Sequence, residues 1–129
     1  MGGKNPAIVT AHADVDKAAE GVARAAFGLA GQKCSACSRA IVVGDVHDDF
    51  VARLGAWAGR LPVGDPADRE SFVGPVVNEA GVARFEAAVA AARSEGTVVA
   101  GGGRPDRPGL FVEPTVAGRR ARAASARTT

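Results

Sequence analysis

Two short, unbroken apolar runs, Ala7-Ile8-Val9 and Ala40-Ile41-Val42-Val43, stand on either side of one long helical pattern. In that pattern Val15, Ala18, Val22, Ala25 and Leu29 recur at steps of three and four, and Asp14 stands where an N-cap belongs. Strands alternating with helices in this way argue for an α/β layer built round a parallel sheet. Continuous apolar runs, rather than alternating ones, are what strands covered on both faces carry. The fold class read from this arrangement is α/β, a short and mostly parallel sheet with flanking helices.

The pattern continues beyond the second run. Val46, Phe50, Leu54, Trp57 and Leu61 predict a second helix stopped by Pro62, and the stretch from Val63 to Gly74 reads as a surface connection. Asn78 caps a third helix with Val82, Phe85, Val89 and Ala92 on one face. Thr97-Val98-Val99-Ala100 then reads as a strand, followed by a glycine- and proline-rich turn from Gly101 to Gly109 and a strand at Leu110-Phe111-Val112. From Ala117 onward only alanine, arginine, serine, threonine and glycine occur, with no apolar period. The expected division is therefore a domain over 1–116 and an unstructured basic tail over 117–129. Four arginines of that tail account for the net charge of +2; without them the chain carries −2, so no general nucleic-acid-binding face is expected. No run is apolar enough to span a bilayer and no leader opens the sequence, so a cytoplasmic location is expected.

Both cysteines, Cys34 and Cys37, lie between the first helix and the second strand, in Phe27-Gly28-Leu29-Ala30-Gly31-Gln32-Lys33-Cys34-Ser35-Ala36-Cys37-Ser38-Arg39. A thiol at such a junction can face a cleft, although a free cysteine more often packs as a small apolar group. Phe27, Gly31, Gln32 and Cys34 fit the pattern Phe, three residues, Gly-Gln, any residue, Cys. The stretch resembles the active-site signature of the aldehyde dehydrogenase superfamily. Its extension to Arg39 is most similar to the branch that oxidises L-glutamate γ-semialdehyde, the 1-pyrroline-5-carboxylate dehydrogenases. Gly2-Gly3-Lys4-Asn5-Pro6 resembles the end of the family's Glu-Leu-Gly-Gly-Lys motif. Gly64-Asp65-Pro66 with Gly74-Pro75-Val76-Val77 resembles the linker between its next two helices.

The resemblance implies an oxidoreductase chemistry in proline degradation. Cys34 would be the nucleophile that forms a thiohemiacetal and then a thioester, with its backbone N–H helping to hold the oxyanion. Ser35 would help hold the substrate carboxylate, and Gly2 and Gly3 would let the nicotinamide of NAD approach; a plain turn explains that glycine pair equally well. Cys37 matches no catalytic position, and Cys34 is expected to be the accessible, faster-reacting thiol. Met1 stands in place of the motif's leucine, so the glutamate base, the dinucleotide-binding domain, the oxyanion asparagine and a later Glu-x-Phe-Gly-Pro glutamate fall outside this sequence. The resemblance therefore implies a fragment of the catalytic domain, inactive and without bound NAD alone; the family oligomerises, and the sequence leaves open whether a separately encoded half complements this one.

A different class is a small thiol-redox or metal-binding protein using Cys34 and Cys37. Only His12 and His47 could complete a metal site, and each belongs to a different element. Gly101-Gly102-Gly103 lacks the spacing of a dinucleotide loop.

Overall fold

A computed structural model describes residues 2–118. Strand β1 (Asn5–Val9) leads to helix α1 (Val15–Phe27), a short 3-10 turn over Gly28–Gly31, strand β2 (Cys37–Val42) and helix α2 (Gly44–Arg60). The connection beyond Leu61 reaches α3 (Glu79–Glu95), followed by β3 (Thr97–Ala100) and β4 (Val116–Gly118).

The first half is the crossover unit its patterning demands. β1 and β2 pair in parallel, with Ile8 opposite Ile41 and Val9 opposite Val42. Asp14 caps α1 by accepting a hydrogen bond from the Lys17 N–H at 3.2 Å. That bond, with the Lys17 ammonium nearby, holds the Asp14 carboxyl below its usual pKa. A lowered carboxyl pKa means that the cap contributes above the ordinary aspartate range and is lost as pH falls through the lowered value.

The helix buries Ala19 and Ala23, small residues that let α2 approach with Phe50, Leu54 and Ala58. These side chains form one cluster with Val9 of β1 and Val116 of β4. The expected apolar face of α1 is shorter than its spacing suggests: the helix ends at Phe27, and Leu29 is 67% exposed in the turn that follows. Gly21 has no neighbour that a side chain would meet, whereas Gly55 of α2 admits Val99 of β3, whose Cγ1 would stand 3.0 Å from an added Cβ.

The second half keeps the expected α3, capped by Asn78 Oδ1 accepting from the Gly81 N–H at 2.9 Å. The strand read at Leu110-Phe111-Val112 is not one. Gly109 turns the chain with a φ of 112°, Phe111 and Val112 plug the core as irregular backbone, and the strand forms after Pro114 as β4. β4 runs antiparallel to β3, giving a second two-stranded sheet beside the parallel pair. It carries regular backbone to Gly118, two residues into the stretch read as a tail; residues 119–129 lie outside the described residues.

Candidate functional site

The cysteine stretch is built by an abrupt reversal at the end of α1. Leu29 and Ala30 both adopt left-handed backbone with φ of 53°, and Gly31 follows at 71°. For the two residues with side chains this conformation costs about 1–2 kcal/mol each, so the surrounding contacts must hold it. Gln32 supplies those contacts. Its Nε2 donates to the carbonyls of Leu29 and Pro75, each at 3.1 Å, and its Oε1 accepts from the Val77 N–H at 2.8 Å. Gly31 fits because a side chain there would meet the Ala26 carbonyl at 3.1 Å.

A tight turn follows, closed by the Ala36 N–H donating to the Lys33 carbonyl at 3.1 Å. Cys34 and Ser35 occupy its two corner positions, both exposed, while Ala36 is buried and anchors the entry to β2. The turn rests on the start of β1. Gly3 packs so closely that an added Cβ would stand 2.5 Å from the Cys34 carbonyl oxygen. Asn5 Nδ2 donates to that same oxygen at 2.7 Å and to the Ala36 carbonyl at 3.1 Å.

The residues singled out in the sequence thus fall into two groups. Gly3, Cys34 and Ser35 come together, and beside them no atom of the described residues, the chain neighbours aside, lies within 4 Å of a Cβ built on Gly2. Cys37 is separate. It is half-buried at the first position of β2, its Sγ lies 3.4 Å from the Arg39 carbonyl, and it lines cavities of about 430 and 300 Å³. The smaller cavity is also walled by Gly3, Gly31, Lys33 and Phe27, and so opens beside the Cys34 turn.

His47 shares the larger cavity with Cys37 but is engaged with Asp48, 2.8 Å from Nδ1 to the carboxylate. Among the described residues no three of His, Cys, Asp or Glu stand together as a metal site. The glycine run after β3 does not cradle an anion: the Gly102 N–H is taken by Thr115 Oγ1 and the Gly103 N–H by a Glu113 carboxylate oxygen. No helix among the described residues is long and apolar enough to cross a membrane. Asn5 and Gln32 belong to recognisable motifs, but their hold on the turn spans 29 to 45 positions, and no local spacing reveals it.

Residues 1–126 match the aldehyde dehydrogenase family, and the chain belongs to that family. It is 42% identical over 116 residues to the 1-pyrroline-5-carboxylate dehydrogenase of a Geobacillus strain, a match covering 90% of this chain and 22% of that protein. The Bacillus subtilis enzyme of the same name is 41% identical, with the same coverage. Among solved structures, 1-pyrroline-5-carboxylate dehydrogenase from Thermus with bound NAD superposes with a TM-score of 0.84 at 40% identity, covering 91% of this chain and 22% of that one. A γ-glutamyl-γ-aminobutyraldehyde dehydrogenase from Burkholderia cenocepacia superposes equally well, at 0.85 and 38% identity, covering 91% of this chain and 24% of that one. The chain therefore spans about a fifth of the length of these relatives, and the fold it shares with them is common to enzymes named for different aldehydes.

Proposed function

We propose that this chain is the nucleophile-bearing part of an NAD-dependent aldehyde dehydrogenase, with L-glutamate γ-semialdehyde, an intermediate of proline degradation, as the substrate. The observation that carries the reading is the placement of Cys34 at the exposed corner of a turn fixed from both sides, at the position where the family motif has its cysteine. The thiolate of Cys34 adds to the aldehyde carbon, forming a carbon–sulfur bond and moving the carbonyl electron pair onto oxygen. NAD, when bound, supplies the acceptor for the hydride that this carbon must lose. The resulting thioester is released by water, which adds to the acyl carbon, expels the Cys34 thiolate and leaves the carboxylate of glutamate.

Ser35, at the adjoining corner, is the proposed contact for the far carboxylate of the substrate; its hydroxyl is exposed and able to donate. The residues fit the cofactor unequally. Gly2 leaves open space through which a flat ring can approach, whereas the bareness of Gly3 is already required by the Cys34 carbonyl. Gly2 is thus the residue that would admit the nicotinamide, and Gly3 serves it indirectly through the turn. The identity to the relatives named for 1-pyrroline-5-carboxylate supports the choice of substrate.

The reading is tested by complementation. The two portions of the Bacillus subtilis relative that flank the region matched by this chain are expressed separately and mixed with it, with NAD and L-glutamate γ-semialdehyde present. NADH formation that disappears with Cys34→Ser is expected. Co-elution of the three polypeptides without any NADH, while the relative's own intact enzyme is active in the same assay, would overturn the proposal.

A further inference from the structure

We infer that Asn5 is a positioning residue for Cys34: it gathers the carbonyl oxygens of Cys34 and Ala36 and so sets the direction of the Cys34–Ser35 and Ala36–Cys37 peptide groups. The inference rests on the proposed role of Cys34 but goes beyond it, because nothing in that chemistry uses Asn5. A primary amide has two N–H donors, and here both are spent on carbonyls of one short segment, those of Cys34 and Ala36. Only the NH₂ end can face two acceptors, so the orientation of the side chain is unambiguous.

The place where this happens is a defect in the sheet. The parallel register runs Asn5 to Cys37 and then Pro6 to Arg39, skipping Ser38. Pro6 has no N–H to give to the ladder. The Asn5 side chain therefore adds donors to the turn just ahead of the strand pairing and its break at Ser38. Gly3 has no side chain where the same Cys34 oxygen comes close, and an added Cβ would stand 2.5 Å from it.

The electrostatic consequence follows from planarity. In a trans peptide the C=O and the following N–H point in opposite directions. With the Cys34 carbonyl turned onto Asn5, the Ser35 N–H is turned away from it. With the Ala36 carbonyl turned the same way, so is the Cys37 N–H. Carbonyl dipoles, which would oppose an anion, are thus collected on the β1 side of the turn, and N–H dipoles are directed elsewhere. An acyl-transfer reaction that puts negative charge on a carbonyl oxygen is sensitive to this arrangement. A displacement reaction at a saturated carbon is not.

That difference defines the experiment, done on the full chain in a Cys37→Ser background with Cys34 as the remaining thiol. p-Nitrophenyl acetate acylates the thiolate through a tetrahedral oxyanion, expelling p-nitrophenolate. Iodoacetamide alkylates it by displacing iodide, with no oxyanion. Asn5→Asp keeps the shape of the side chain but points acceptors at the two carbonyls, and Asn5→Ala removes the contact. Both are expected to lower the ratio of acylation to alkylation about tenfold, the aspartate at least as much as the alanine. In parallel, backbone NMR order parameters of Cys34, Ser35 and Ala36 are expected to fall from about 0.85 towards 0.6, while those of α2 stay unchanged.

A ratio and order parameters for N5D equal to those of the parent chain would overturn the inference. So would equal slowing of both reactions with loss of order in α2, which is general loosening. If N5D does not fold, Gly3→Ala, which pushes on the same carbonyl with Asn5 intact, must lower the ratio, and an unchanged ratio there is equally fatal. Absence of any acylation of Cys34 in the parent chain refutes the proposed function instead, and the order parameters still decide the role of Asn5.

Discussion

Given NAD and L-glutamate γ-semialdehyde, the 129-residue polypeptide expressed by itself is expected to form no NADH above the level of its Cys34→Ser variant. Hydride transfer needs the nicotinamide held within contact of the reacting carbon, and holding two reactants in that geometry is worth about 7–11 kcal/mol of barrier. The described residues offer an open edge at Gly2 and a cavity of about 300 Å³ beside the turn, lined by Lys4 and Lys33 but by no glycine-rich phosphate loop. The glycine run that comes nearest in composition has spent the N–H groups of Gly102 and Gly103 on Thr115 and Glu113. The Glu113 carboxylate standing there also opposes a phosphate. The matched residues span 22% of the length of the Geobacillus relative. Cys34-dependent NADH from this chain alone would mean that a cofactor site exists within these residues.

The second large effect concerns stability. Phe50→Ala is expected to unfold most of the molecule at 25 °C. Among the described residues Phe50 is the largest fully buried side chain, 1% exposed, and it joins β1, α1, α2 and β4 through Val9, Ala19, Ala23, Leu54 and Val116. Removing a buried phenyl group costs about 3–5 kcal/mol, against a total of roughly 5–15 kcal/mol for an ordinary domain. This molecule starts with less in hand. Parallel sheets are normally covered on both faces, yet the cross-strand pair Ile8 and Ile41 is 71% and 56% exposed on β1 and β2. Urea unfolding followed by far-ultraviolet circular dichroism measures the loss. Val77→Ala, at a side chain 77% exposed, should stay within about 0.5 kcal/mol of the parent. A loss for Phe50→Ala below about 1 kcal/mol would show that the core lies elsewhere.

Elements with a period and a stop signal were legible in the sequence. The three helices follow from steps of three and four with Asp14, Pro62 and Asn78 as punctuation, and the parallel pair follows from two apolar runs bracketing a helix. What escaped depends on contacts between distant residues. Nothing in Leu29-Ala30 favours a positive φ; the reversal is held by Gln32, which reaches forward to Pro75 and Val77. The strand expected at Leu110 formed at Val116 instead, because Phe111 and Val112 have core space to fill and Gly109 and Pro114 break the backbone on either side. The antiparallel sense of β3 and β4 is likewise decided by where that loop returns.

The candidate site divides in the same way. The position of Cys34 at a helix-to-strand junction is visible in the sequence, and its exposure beside a half-buried Cys37 agrees with the expectation that it is the accessible thiol. The motif pieces at Gly2 and at Gly74 looked like separate signatures. Folding brings Gly3 and Asn5 against the Cys34 carbonyl and the Pro75–Val77 segment against Gln32, so that both pieces meet the one turn that carries Cys34.

The most direct test of that convergence is to locate the acyl group after brief exposure of the full chain, both cysteines present, to p-nitrophenyl acetate. Peptide mapping by mass spectrometry is expected to place the acetyl thioester on Cys34, with Cys37 largely unmodified and no thioester in the Cys34→Ser variant. An acetyl group found first on Cys37, or equally on both thiols, would contradict the assignment of Cys34 as the nucleophile.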